Sequence, residues 1–284
     1  MARVRLIALI FGAALIFAAA SATAEIIKDF TLPVRDIPAK TWLDLLRQVF
    51  PDVAAATAPQ TGAVATDMTA IHSIGGADDS WVNCGDRIEI DSLQFYPLRL
   101  LDQDRLILTL ALPDDCIALV VLFDYQGKLV DAVNVKGDQH ADISADFVRP
   151  LGRAGPVGPP GALVTATSFH DNSDQSYDAT MLLLVKPDGF SLIGEVLAFG
   201  NHDCRSQFTE ETKIDPVLGT GPMLPIGAAV TRRTQRFAAD CDTKRGPGTV
   251  ATFNGYWCWN AKKAGYEPRT RALDWLAKWN EKHF

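Results

Sequence analysis

The spacing of apolar and polar positions changes twice along this chain of 284 residues. Over 105–112 the leucines at 106, 108, 110 and 112 alternate with Arg105, Ile107, Thr109 and Ala111. This period of two predicts a strand with one strongly buried face. The run 117–123 is apolar throughout, which predicts a strand covered on both sides. Asp124 to Gly127 carries turn residues, and 128–135 returns antiparallel. The same theme recurs further on: 181–185 is apolar, Pro187, Asp188 and Gly189 turn the chain, and 190–199 comes back. Further strands are predicted over 163–169, 226–237 and 249–259, the last turning back near 260–265 towards Tyr266. Helical spacing is confined to the two ends. Ala39, Trp42, Leu45, Leu46, Val49 and Phe50 form one stripe, with Asp36 and Pro38 as a start signal and Pro51 as a stop. Near the C-terminus, Ala272, Trp275, Leu276 and Trp279 share a helical face.

The pattern predicts a mainly β protein, an antiparallel hairpin and meander core with an amphipathic helix at each end. No alternation of strands and helices is visible, which argues against a doubly wound α/β fold. A sandwich, an open barrel and a partial propeller all fit. Three segments are expected: a signal peptide over 1–24, a helical segment with a flexible linker over 25–66, and a β-rich domain over 67–284. The linker assignment rests on 54–66, which is small, uncharged and poor in large apolar groups. The Gly/Pro-rich stretch 151–161 reads as a loop, since two Gly-Pro-x triplets are far too few for a collagen helix.

Composition adds little beyond this. With 48% hydrophobic and 21% charged residues the chain can build a core without a metal. The net charge of −7 argues against a nucleic-acid partner, which requires a basic surface. The N-terminus is more telling. Arg3 and Arg5 precede an uncharged apolar run from Leu6 to Ala20, and Ala22 and Ala24 stand at the positions a signal peptidase reads. The run is about 15 residues, short of the ~20 that a membrane-spanning helix needs. Cleavage is expected near Ala24, giving a periplasmic or secreted product with no transmembrane anchor in the mature chain.

Export permits disulfides, and the chain has five cysteines. Cys204 and Cys241 each follow a predicted strand in polar loop sequence and form the first expected pair. Cys84 with Cys116 is the second. Cys258, between Trp257 and Trp259, is left as a buried thiol.

No P-loop, H-E-x-x-H, G-x-S-x-G or G-x-G-x-x-G motif occurs in the sequence. The candidate chemistry is a constellation at one end of the meander, where successive strand exits deliver His140, then His170, Asp171, Asn172 and Asp174, then His202 and Asp203. Imidazoles at 140, 170 and 202 beside these carboxylates are a candidate divalent metal set, for Zn²⁺ with an open position for water or for Ca²⁺ on the carboxylates. The same residue types also fill ordinary strand connections, through side-chain bonds to the backbone. The polar stretch from Phe169 to Tyr177 has an aromatic at each end, as a ligand-binding rim requires. Trp257 and Trp259 share a strand face and suit either sugar stacking or core packing against the last helix. Arg232, Arg233 and Arg236 form a basic spot, read as a charged edge strand or an anion site.

The leading functional expectation is an exported, non-catalytic binding or accessory protein without a cofactor, whose partner is an envelope protein, a glycan or a small ligand. The alternative is a metal-assisted hydrolase built on the His/Asp cluster. A purely structural role is a third possibility.

Overall fold

The computed structural model describes residues 25–35, 37–55, 63–65, 70–74, 88–111, 118–135, 140–142, 149–152, 159–172, 174–204 and 206–283. The N-terminal half runs β1 (Glu25–Ile27), β2 (Pro33–Val34), β3 (Ile37–Thr41), α1 (Trp42–Val49), β4 (Ala54–Ala55), β5 (Ala63–Ala65), β6 (His72–Ser73), β7 (Ile88–Ile90), β8 (Leu93–Leu100), β9 (Gln103–Ala111), β10 (Ala118–Asp124) and β11 (Leu129–Asn134). Next come β12 (His140–Asp142), β13 (Arg149–Pro150), β14 (Ala162–Asp171), β15 (Gln175–Lys186) and β16 (Gly189–Asp203). The chain closes with β17 (Ser206–Pro216), β18 (Ile226–Arg236), β19 (Thr249–Asn260), β20 (Gly265–Pro268) and α2 (Ala272–His283).

Two large sheets dominate. The first has the order β1-β8-β9-β10-β11-β6, and the second β12-β14-β15-β16-β17-β18-β19-β20, with β13 also on β14. Only β11 and β6 pair in parallel within the first sheet, and every ladder of the second is antiparallel. The sheets pack face to face, so of the three predicted β architectures the sandwich is the one formed. Tyr96, Ile107, Val120, Leu122 and Val133 of the first sheet meet Val164, Ala166, Met181, Leu183 and Val185 of the second in one buried cluster. The outer face of the first sheet is covered by α1 and its neighbours, where Leu45, Leu46 and Val49 pack with Leu108, Leu119, Val121 and Phe123. The outer face of the second is covered by its own later strands and α2, where Leu182, Leu184 and Val196 meet Ile226, Val230, Trp257, Leu273 and Leu276.

This layering explains the continuous apolar runs. Leu119, Val121 and Phe123 feed one cluster, while Ala118, Val120 and Leu122 feed the other. Met181, Leu183 and Val185 divide from Leu182 and Leu184 in the same way. β9, expected to bury one face, buries both: Leu106, Leu108 and Leu110 on one side and Ile107 on the other.

The first helix begins later than its sequence pattern suggests. Pro38 lies in β3, and Asp36 falls outside the described residues. The start is set by a capping box, in which Thr41 Oγ1 accepts from the Asp44 amide at 3.2 Å and the Asp44 carboxylate accepts from the Thr41 amide at 2.9 Å. Those hydrogen bonds hold the Asp44 carboxyl below its usual range. The expected linker contributes strand rather than coil at its described ends, because Ala54–Ala55 pairs with β5, and β5 pairs with β7. In α2 the buried residues are Leu273, Leu276 and Asn280, whereas Trp275 is 59% exposed. The helix is therefore rotated from the Trp275 face expected from the sequence, because Asn280 has a polar partner to meet inside.

That partner is Glu210, the centre of a buried network. β16 and β17 pair only from Gly200↔Thr209 to Asp203↔Ser206, and then part. At the parting point the Phe199 amide donates to Glu210 Oε2 at 2.9 Å, so a side chain replaces the missing strand carbonyl. Glu210 also accepts from Arg232 Nε at 2.7 Å and from Asn280 Nδ2 at 3.1 Å, and Arg232 donates to Asn280 Oδ1. The Arg232 guanidinium lies 4.6 Å from the ring centroids of both Phe208 and Trp279. Arg232, read from the sequence as part of a charged edge, is thus an interior ion-pair partner, its side chain 13% exposed against 0% for Glu210.

Cys204 and Cys241 form the expected disulfide, tying the β16–β17 turn to the loop after β18 across a separation of 37 residues. Cys84 and Cys116 lie outside the described residues, and Cys258 is a free, half-buried thiol.

Glu210→Ala leaves Arg232 uncompensated and lowers the unfolding free energy by about 3–5 kcal/mol, read by urea titration. The double variant Glu210→Leu/Arg232→Met loses less than the single one, because no buried charge remains. Cys204→Ser/Cys241→Ser lowers stability by about 4 kcal/mol in the chain-entropy account, and reduction of the wild type reproduces the loss.

Candidate functional site

The two ends of β14, β15 and β16 differ in chemistry. One end carries the polar residues singled out from the sequence. Asn172 Oδ1 accepts from the backbone amides of Asp174 at 3.0 Å and Gln175 at 2.9 Å, and the Asn172 backbone amide donates to the Gln175 carbonyl at 2.9 Å. Its side chain is therefore committed to closing the hairpin. The Asp174 carbonyl accepts from the His202 amide at 2.9 Å. Asn201 Oδ1 accepts from the Asp203 amide, and Asp203 pairs with Ser206 beside the disulfide. Asp171 pairs with Ser176.

The same register decides which side chains share a face. His170 stands opposite Tyr177, and Tyr177 opposite Phe199. The His170 and Tyr177 rings stack at 5.1 Å with 10° between their planes, and Tyr177 meets Phe199 at 5.9 Å. His202 lies three positions beyond Phe199, an odd offset that puts it on the other face of the strand. Thus His170 and His202 reach one edge of the sheet without reaching one face. His140 pairs with Phe169 through its backbone, and its side chain lies outside the described residues. Among the described residues no three His, Cys, Asp or Glu side chains gather as metal ligands.

The other end holds a cleft of about 500 Å³. Its walls are Trp259, Met223, Ala264 and the rings of Pro160, Pro187 and Pro222, with Lys186 and Asp188 at the rim. Lys186 and Asp188 flank Pro187 in the tight β15–β16 turn, where Lys186 pairs with Gly189. Gly189 has φ +142°, and a Cβ there would stand 2.7 Å from Asp131 Oδ2, so glycine is required on both counts.

The first sheet grips this turn from below. The buried Arg105 donates to the Pro187 carbonyl from Nε at 3.2 Å and Nη2 at 3.0 Å. Asp131 Oδ2 accepts from the Phe190 amide at 2.9 Å, while its Oδ1 lies 2.8 Å from His72 Nε2. The opposite wall is held by Tyr266, whose hydroxyl donates to the Leu224 carbonyl at 2.7 Å and whose ring meets Trp259 edge-on at 5.5 Å. Burial, with a smaller contribution from Cys258, pushes the Tyr266 phenol well above its ordinary range, so it stays a neutral donor.

A second groove of about 500 Å³ lies along β8 and β9, lined by Pro97, Leu98, Arg99, Asp104 and Tyr125 among others. Its rim carries an Arg99–Asp104 ion pair at 3.2 Å, and its aromatic, Tyr125, is 62% exposed at a turn tip. The Trp259 cleft has the better-anchored aromatic wall. Of the two tryptophans considered for sugar stacking, Trp257 is 7% exposed in the core and Trp259 lines the cleft. Comparison with known protein families, curated proteins and solved structures finds no match to this chain.

The sequence pattern points to the polar end of the hairpins and not to the cleft. The cleft residues come from the ends of β15 and β19 and from separate turns and loops at 160, 187–188, 222–223 and 264, so no single stretch of sequence announces them. Of these residues only Trp259 carries a binding reading in the sequence; Pro160, Pro187, Asp188 and Ala264 fall in stretches that read as turns or loops.

The His72 contact generates a pH prediction. Burial alone would lower the His72 pKa, but the Asp131 hydrogen bond and charge, with the Ser73 carbonyl, raise it above 6.5. A pKa raised on folding stabilises fully below the unfolded value, and that contribution fades as pH rises through the folded one. An NMR titration is expected to place the His72 midpoint above the ordinary imidazole value, and Asp131→Asn, which keeps an acceptor for the Phe190 amide, is expected to lower it.

Proposed function

We propose that this chain is an exported, non-catalytic binding protein that seats a small ligand, or the end of a larger one, in the Trp259 cleft. The observation that carries this reading is the cleft itself: a rigid apolar wall with one donor and one acceptor at its rim. Small-molecule sites commonly have this make-up, largely apolar with a few placed polar groups, in a volume of about 300–1,000 Å³. Both walls are held by hydrogen bonds to other elements, Arg105 and Asp131 on one side and Tyr266 on the other. A site so preorganised loses little entropy on binding.

Export is supported by the Cys204–Cys241 disulfide, which belongs to an oxidising compartment, together with the leader-like pattern over 1–24. Among the described residues no helix is long and apolar enough to cross a membrane. At the rim end, Asn172 and Asn201 spend their side chains on closing turns, which supports a scaffolding use of these loops.

The test is thermal shift against sugars, amino acids, nucleosides and fatty acids, run on the wild type and on Ala264→Trp, which fills the cleft from an exposed position. A ligand at a hundred times its Kd stabilises by about 2.7 kcal/mol, or roughly 5–10 °C for a chain of this size. At least one class is expected to raise the wild-type Tm and to leave Ala264→Trp unmoved. Equal shifts in both proteins, or no shift with any class, would overturn the reading.

A further inference from the structure

Resting on that reading, we infer that the cleft takes a neutral pyranose unit, as a free sugar or as the end of a glycan chain. The argument is one of complementarity. Lys186 Nζ and Asp188 Oδ1 stand 3.8 Å apart, so the rim has one positive and one negative group and no net charge. An anionic ligand drawn to Lys186 would meet Asp188, and a cation drawn to Asp188 would meet Lys186. A neutral ligand that both donates and accepts gains from each. The remaining lining is Trp259, Met223, Ala264 and proline rings, which present C–H and π surface and no further charge.

A pyranose matches both halves at once. Its axial C–H face is apolar and lies flat on an aromatic ring, while its equatorial hydroxyls both donate and accept. Trp259 is suited to such stacking because Tyr266 meets it at 71° and fixes it before any ligand arrives. Holding the platform rigid removes the ordering cost that a mobile tryptophan would incur. A purely lipidic ligand would gain no hydrogen bond from the Lys186 and Asp188 rim, and a nucleotide would bring phosphate charge against Asp188.

The experiment uses the full, disulfide-intact chain with cellobiose, maltose and N,N′-diacetylchitobiose in solution. Insoluble cellulose, starch and chitin are tested in parallel, with binding read by saturation-transfer NMR and by retention on the solid. At least one probe is expected to bind, about tenfold more weakly to Trp259→Ala and within about threefold of wild type to Trp259→Phe. Lys186→Met weakens binding in the same assay. Binding of a disaccharide identifies a free sugar unit as sufficient. Retention on a solid without disaccharide binding identifies a chain end.

If Trp259→Ala does not fold, Ala264→Trp serves as the blocked form. Saccharide binding that survives in both variants would overturn the assignment. So would Trp259-dependent binding of another class, including a polyproline decapeptide, with no saccharide bound; that outcome leaves the cleft a binding site of different chemistry. No ligand of any class would remove both this inference and the reading it rests on.

Discussion

The fold turns on what happens to the ladder beyond Gly200, where β16 and β17 separate. A strand that leaves its neighbour exposes unpaired amides, and a buried unpaired amide is expensive. Glu210 meets that cost by accepting from the Phe199 amide, but it introduces a buried carboxylate in doing so. Arg232 and Asn280 neutralise and hydrogen-bond that carboxylate, and Phe208 and Trp279 enclose the guanidinium. Exposed pairs such as Arg99–Asp104 contribute about 0–1 kcal/mol, whereas a buried pair matters mainly because neither member can be removed alone. The network thus acts more as a specifier than as a source of stability: it sets where the ladder ends and which face of α2 turns inward.

The parting has a structural consequence. Freed from β16, the β17–β19 strands cross the outer face of the second sheet, where Ile226, Val230 and Trp257 cover Leu182, Leu184 and Val196. The same path brings Trp259 beside the β15–β16 turn. That turn is held from the other direction by Arg105 and Asp131 of the first sheet. The cleft therefore lies where two independent anchors converge, and its shape depends on both sheets. The Cys204–Cys241 link constrains the far end of the same strands, next to the segment where β16 and β17 remain paired.

Much of the architecture was legible because the deciding interactions are local in sequence. The runs 117–123 and 181–185 announce burial on both faces, and the turns at Asp124–Gly127 and Pro187–Gly189 fix the hairpins that follow. The misreadings arose where a polar group was buried through a distant partner. Arg232 read as an edge charge because Glu210 and Asn280 are 22 and 48 residues away. The inward face of α2 was misassigned for the same reason, since Asn280 looks like a solvent residue until its partner is known. Following the strand exits brings His170 and His202 to one edge, but the odd offset of His202 from Phe199 puts the two on different faces. The cleft was illegible because no two of its walls share a local pattern.

The contrast between the two ends of the long hairpins favours one of them for recognition. At the rim, Asn172 and Asn201 are consumed by backbone amides, and the Asp174 carbonyl by the His202 amide, so turn closure accounts for much of the polar chemistry there. At the cleft, the backbone groups of the turn are satisfied from the first sheet, by Arg105 at the Pro187 carbonyl and Asp131 at the Phe190 amide. That arrangement leaves Lys186 and Asp188, 3.8 Å apart, facing each other beside a wall of proline and tryptophan rings. An apolar concavity with its polar groups confined to the mouth gains by covering its floor only if the cover also answers the mouth. On the proposed reading, that requirement favours an amphipathic ligand over a wholly apolar or a wholly charged one.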